Sequence, residues 1–281
     1  MVLQRAIWHR SSRLNWLMGW FCPVVFIGLG LMGWAAESVE SSPAKPAPPH
    51  VVLVAYEDEY EAARTLRDFA RLLQQRYACR TTLLIGEPEK DLPGLEVLDQ
   101  ADVLVLYVRR KPLPAEQLKR IRQYVEAGKP LVALRTSSHA FVLRPGSPPT
   151  EKLQWPEFDQ QVLGGNYHGH TGKKYPPTEI WAAPEAQEHP ILAGIDPKKW
   201  QSNGSLYLVS PIDPKALVLL WGQAGPHKEP VAWTRSYRGG RIFYTSLGHP
   251  DDFDKCPQFV RLLVQAIFWA MNRAVPASDC R

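Results

Sequence analysis

Four histidines stand in surroundings that suit chemistry. His168 and His170 are two apart in Leu163-Gly164-Gly165-Asn166-Tyr167-His168-Gly169-His170. His139 closes the run Arg135-Thr136-Ser137-Ser138-His139, and His249 sits in Leu247-Gly248-His249-Pro250-Asp251-Asp252. On a strand His168 and His170 would face one side; on a loop they are free to converge with His139 and His249. Neutral imidazoles so gathered either move protons or hold a divalent metal such as Zn²⁺. The plain alternative is that they hydrogen-bond loop backbone. His189, which precedes Pro190, and His227 read as ordinary loop histidines.

Other side chains belong with this set. Arg135 is a candidate clamp for a carboxylate or for sugar oxygens; its alternative is a buried ion pair with Glu57 or Glu59. Glu59 and Tyr60 follow the first apolar run and join the binding set. Tyr167 and Tyr207, with Trp155 and Trp233, offer rings for stacking on a sugar, although single aromatics more often belong to a core. Ser137 and Ser138 adjoin His139, yet Gly-x-Ser-x-Gly is absent, so capping of a helix N-terminus is favoured over nucleophilic attack. Gly164-Gly165 completes no GxGxxG or Walker pattern, and basic patches interleaved with aromatics are lacking. Nucleotide and nucleic-acid binding are therefore not expected.

The elements that must position these groups show in the hydrophobic pattern. Short apolar runs at 51–56, 81–85, 101–107 and 131–134 suit buried strands. Between them, 59–77 carries Ala63, Leu66, Ala70, Leu73 and Tyr77 at helical spacing. A second helix spans 114–128, opened by Pro114 and closed by Gly128. Alternating strands and helices imply a parallel sheet covered on both faces, an α/β, flavodoxin-like, doubly wound and mostly parallel core. The second half reads differently. Strands are expected at 179–182, 217–221, 231–235 and 241–246, the last two joined as an added β-hairpin through Arg238-Gly239-Gly240, and a helix at 259–270 closes the fold. In such sheets ligands bind beyond the carboxyl ends of the strands, where the histidine segments and Glu57–Tyr60 fall.

The ends of the chain are of other kinds. Residues 1–36 hold Arg5, Arg10 and Arg13 and no acid, and 14–36 is a 23-residue uncharged stretch. It reads as a signal peptide or an N-terminal membrane anchor, with the bulk of the chain exported to a periplasmic or other extracytoplasmic location. Residues 37–49 form a Pro/Ser-rich linker, 50–274 a single domain and 275–281 a tail. The net charge of +5 falls to +2 once residues 1–36 are set aside, so the basic character lies mainly in the leader. Cys79, Cys256 and Cys280 are too few for a disulfide framework, though one bridge is open to them.

Five motifs in order resemble the ThuA-like (trehalose-utilisation) family. They are 128–141, 163–170, His189-Pro190-Ile191, 231–235 and 240–249, within residues 50 to 274. The resemblance implies a class I glutamine amidotransferase-like fold and a small-carbohydrate ligand, a disaccharide or an oxidised sugar. It places Arg135 where amidotransferases keep their nucleophilic Cys, so glutamine amidotransferase activity is not expected. Many family members carry acids ahead of the Leu-Tyr pair that here follows Asn203-Gly204-Ser205. Three functions remain open: an enzyme whose catalytic groups are His139, His168, His170 and His249, with Arg135, Glu59, Tyr60, Tyr167 and Tyr207 binding substrate; a non-catalytic binding or scaffold module with a degenerate pocket; or a structural partner for a membrane redox or transport complex.

Overall fold

The computed structural model describes residues 47–274, apart from 173, 197 and 199. The expected export segment, nearly all of the linker and the tail lie outside the described residues. Among the described residues no helix is long and apolar enough to cross a membrane.

In chain order the elements are β1 (His50–Tyr56), α1 (Ala62–Tyr77), β2 (Arg80–Ile85), β3 (Val103–Val108), α2 (Ala115–Glu126) and β4 (Leu131–Leu134). There follow β5 (Gly169–His170), β6 (Thr178–Ala182), β7 (Trp200–Ser202), β8 (Tyr207–Leu208), β9 (Leu217–Ala224), β10 (His227–Tyr237) and β11 (Gly240–Thr245), then α3 (Pro250–Lys255) and α4 (Pro257–Ala270). One nine-stranded sheet runs β2-β1-β3-β4-β11-β10-β9-β6-β7. Its first five strands are parallel. From β11 outward every pairing is antiparallel. The fold is thus the expected flavodoxin-like α/β core, with an antiparallel extension hung on β11.

The buried strands explain the parallel half. Every residue of β1, β3 and β4 is buried, which requires cover on both faces. Side-chain alternation then splits the core in two. Val51, Leu53 and Ala55 meet α1 through Leu66, Phe69 and Leu73, and α4 through Leu262 and Ile267. Val52 and Val54 meet α2 through Leu118, Ile121 and Val125. At about 25 cal/mol per Å² of apolar area, these two layers are the main source of stability.

Local chemistry sets several boundaries. The α1 pattern begins at residue 59, but the helix starts at Ala62, because Glu57 accepts hydrogen bonds from the amides of Glu59, Tyr60 and Ala62 at 2.6, 2.7 and 2.7 Å. Its carboxylate replaces the missing first turn of acceptors. The β10–β11 hairpin turns through Arg238 (φ 51°) and Gly239 (φ 88°), both left-handed. Two left-handed residues are what a twisted two-residue hairpin needs. Gly240 then passes so close to Gly128, at the end of α2, that a Cβ there would lie 2.7 Å from the Gly128 carbonyl carbon.

Candidate functional site

Beyond the carboxyl ends of β1, β3 and β4 lie two cavities that share Glu59, Tyr60 and His170. The first, about 440 Å³, is lined by Arg109, Arg110, His139, Arg144, Tyr167, His168 and Tyr207 as well. The second, about 560 Å³, adds Arg135, the 203–205 segment and His249. All nine side chains expected at the site line one cavity or the other.

Arg135 marks the corner between β4 and a tight turn, Arg135–His139. Its backbone is left-handed (φ 42°), a strained state for a side-chain-bearing residue. Two hydroxyls hold the corner by donating to the Arg135 carbonyl, Tyr244 at 2.7 Å and Ser138 at 3.3 Å. Ser137 does not cap a helix. Its hydroxyl donates to Leu106 of β3 at 2.8 Å and accepts from the Val108 amide at 3.3 Å, stitching the turn to the neighbouring strand.

Arg135 as a whole is 1% exposed. Its guanidinium lies between the rings of Tyr60 (4.3 Å) and Tyr207 (4.8 Å), donates to the Ser246 carbonyl at 2.8 Å and reaches Ser205 Oγ at 3.4 Å. The ion pair with Glu57 or Glu59 does not form: Glu57 holds the start of α1, and Glu59 pairs with Arg109 at 2.7 Å. Nε of Arg135 has no partner. Among the described residues no carboxylate is within ion-pair range of this buried cation.

The histidines differ in what their rings can still do. His139 is buried, stacked on Tyr167 at 4.4 Å, with Nδ1 3.1 Å from Ser138 Oγ. Burial, and then the charges of Arg110, Arg109 and Arg135, push its pKa down to about 2, so the ring is neutral. His168 and His170 each place Nδ1 on a carbonyl, Asn166 at 2.8 Å and Thr171 at 3.0 Å. A carbonyl only accepts, so when the ring is neutral Nδ1 carries the proton and Nε2 is a bare lone pair. In His249 the reverse holds. Its Nδ1 accepts from the Asp251 amide at 3.2 Å while capping α3, leaving Nε2–H as a donor when the ring is neutral.

Short-range pairing fixes these positions. Gly169 and His170 pair with Leu208 and Tyr207 as a two-stranded ribbon, setting His170 opposite Tyr207. The buried carboxylate of Asp159 accepts from the Tyr167 amide at 2.7 Å. Asp252 binds the Gly248 and His249 amides at 2.9 and 3.0 Å and the Ser202 hydroxyl at 2.9 Å. Trp155 and Trp233, by contrast, are core residues; the Trp233 indole donates to Leu163 O at 2.7 Å. His189 receives the Ile191 amide, as a loop histidine would.

Three lining residues escape a reading of the histidine motifs: Arg109, Arg110 and Arg144. The first two follow β3 directly, so the strand-end rule that selects the other segments selects them too. Arg110 (φ 51°) is tied to the turn by its amide, which donates to His139 O at 3.0 Å.

Among the described residues no three His, Cys, Asp or Glu side chains are grouped to hold a metal ion. Cys79 and Cys256 carry free thiols, and Cys280 lies outside the described residues.

Comparison with known proteins bears on this arrangement. A ThuA-like protein from Parabacteroides merdae is similar at a TM-score of 0.62 and 19% identity, over 81% of this chain and 91% of its own. One from Bacteroides uniformis gives 0.59 and 19%, over 82% of this chain and 95% of its own. At these identities the likeness shows the fold. No curated protein matches the chain. The sequence pattern described as ThuA, trehalose utilisation, matches residues 51–270, the whole span from β1 to the end of α4. By that match the chain belongs to the ThuA family.

Proposed function

We propose that this protein acts on a small carbohydrate, a disaccharide or an oxidised sugar, bound in the groove beyond the parallel strands. The observation that carries the reading is the opposite Nδ1 hydrogen bonding of two imidazoles lining one cavity, one against a carbonyl and the other against an amide. His170 offers a bare Nε2 and serves as the base, while His249 offers Nε2–H and serves as the donor. A hydroxyl proton leaving to His170 and a developing negative charge met by His249 is general acid/base catalysis of the kind sugars require. His139, neutral and held against Tyr167, orients a hydroxyl rather than supplying a proton. Tyr167, half-buried at the cavity wall, gives ring surface for the sugar, while Tyr207, 2% exposed, lies beneath it and supports the wall.

The test is turnover of a panel of disaccharides and keto-sugars by the full chain. Replacing His170 or His249 with Gln is expected to lower turnover at least 100-fold with substrate binding retained. Equal turnover by parent and variants overturns the reading.

A binding-only module is the second reading. It is favoured by Arg135, whose side chain fills the corner where a nucleophile would stand. Under it the panel binds and nothing turns over.

The same proposal includes location. Three arginines ahead of an uncharged stretch favour delivery of the 50–274 domain across a membrane, which fractionation of cells expressing the full chain would test.

A further inference from the structure

The charges around the groove do not balance. Four arginines line the two cavities, Arg109, Arg110, Arg135 and Arg144, against one carboxylate, Glu59. That carboxylate is already engaged by Arg109 at 2.7 Å. Arg110 and Arg144 have no acidic partner among the described residues, and burial followed by the charges of Arg144 and Arg109 pushes the Arg110 guanidinium below its ordinary value. Arg135 is buried with no carboxylate in ion-pair range among the described residues.

Like charges gathered around a cavity repel one another, and a buried unpaired cation is strongly disfavoured. Both costs are relieved by an anion entering from solvent. Guanidinium groups, with donors in a planar fork, match carboxylate and phosphate oxygens in particular.

We propose that the sugar bound here is an anion, carrying a carboxylate or a phosphate. The negative group sits between Arg110 and Arg144, the sugar ring faces Tyr167, and Arg135 adds positive potential from below. This inference rests on the carbohydrate reading above and narrows it to acidic sugars.

Calorimetric titration of the full chain at low salt decides it, with glucose, glucuronate and glucose 6-phosphate as probes. At least one charged sugar is expected to bind ten-fold or more tighter than glucose. Comparing glucuronate with glucose 6-phosphate separates carboxylate from phosphate. The preference is expected to shrink at high salt. It is also expected to vanish in the double variant Arg110→Gln/Arg144→Gln, whose melting curve verifies the fold, and to persist in Arg120→Gln on the exposed face of α2. If glucose binds as tightly as both charged sugars, or the preference survives the double variant, the anion inference falls and the carbohydrate reading stands. If none of the three binds and no disaccharide does, both fall.

Discussion

Gly204 and Arg135 occupy each other's space: a Cβ built on Gly204 would lie 2.7 Å from Nη1 of the Arg135 guanidinium and 3.1 Å from its Cζ. The main chain of the 203–205 segment is therefore the floor on which the buried cation rests. A side chain there has to move a group that two tyrosine rings and the Ser246 carbonyl hold in place.

Gly204→Ala is accordingly expected to destabilise the protein by about 1–3 kcal/mol, the range for overpacking a tight site. Thermal melting reads this as a loss of several degrees. In combination with Arg135→Met, whose side chain is slimmer at its end, the cost should shrink. Strictly additive effects would mean that the two residues do not touch in the way described.

Arg135→Met separates stability from function. It gives up two ring contacts and two hydrogen bonds but removes a buried charge without an acidic partner, and such exchanges are often neutral or favourable. Its melting temperature should stay within a few degrees of the parent or rise, while affinity for the proposed acidic sugar falls at least ten-fold. A loss of stability beyond about 4 kcal/mol would show that the guanidinium is a structural keystone instead.

His139 makes the fold sensitive to acid. Its pKa falls from 6.5 to about 2 on folding, so the unfolded chain binds more protons between those values. The stability it contributes is complete above pH 6.5 and is lost progressively as pH falls toward 2. Urea midpoints measured at pH 7 and pH 5 should drop further for the parent than for His139→Gln. Its ring resonances should also show no titration between pH 5 and 8.

Asp159 acts in the opposite direction. Burial raises its pKa to about 7, only partly offset by the Tyr167 amide, so here the folded chain binds the extra proton. Its stability contribution is complete below the unfolded value of 3.8 and declines as pH rises through 7. Asp159→Asn should therefore gain on the parent steadily between pH 4 and 7 in the same urea experiment. A constant difference across that range would show that the carboxylate is not so shifted. Because His139 and Asp159 tilt the curve oppositely, the parent alone reveals neither.

Sequence pattern carries the parallel half of the fold because wholly apolar runs such as Val103–Val108 have one comfortable place, a strand buried on both faces. The site loops follow from the same fact, since ligand groups gather where such strands end. What the pattern does not carry is commitment. Glu57 is a credible partner for Arg135 on sequence alone, but the amides of Glu59, Tyr60 and Ala62 take its oxygens. Ser137 has the residue type of a cap but serves β3. β5 and β8 are two residues each, too short for any periodicity, and only their pairing sets His170 beside Tyr207. Arg144, exposed on a loop, carries no local signal of the cavity it lines.

The left-handed corner at Arg135 is braced entirely by groups other than the Arg135 side chain: the Tyr244 and Ser138 hydroxyls grip its carbonyl, and Ser137 moors the turn to β3. Such a corner keeps its shape by main-chain and neighbouring-hydroxyl contacts, so Arg135→Met is expected to change the charge beneath the groove and not the path of the chain.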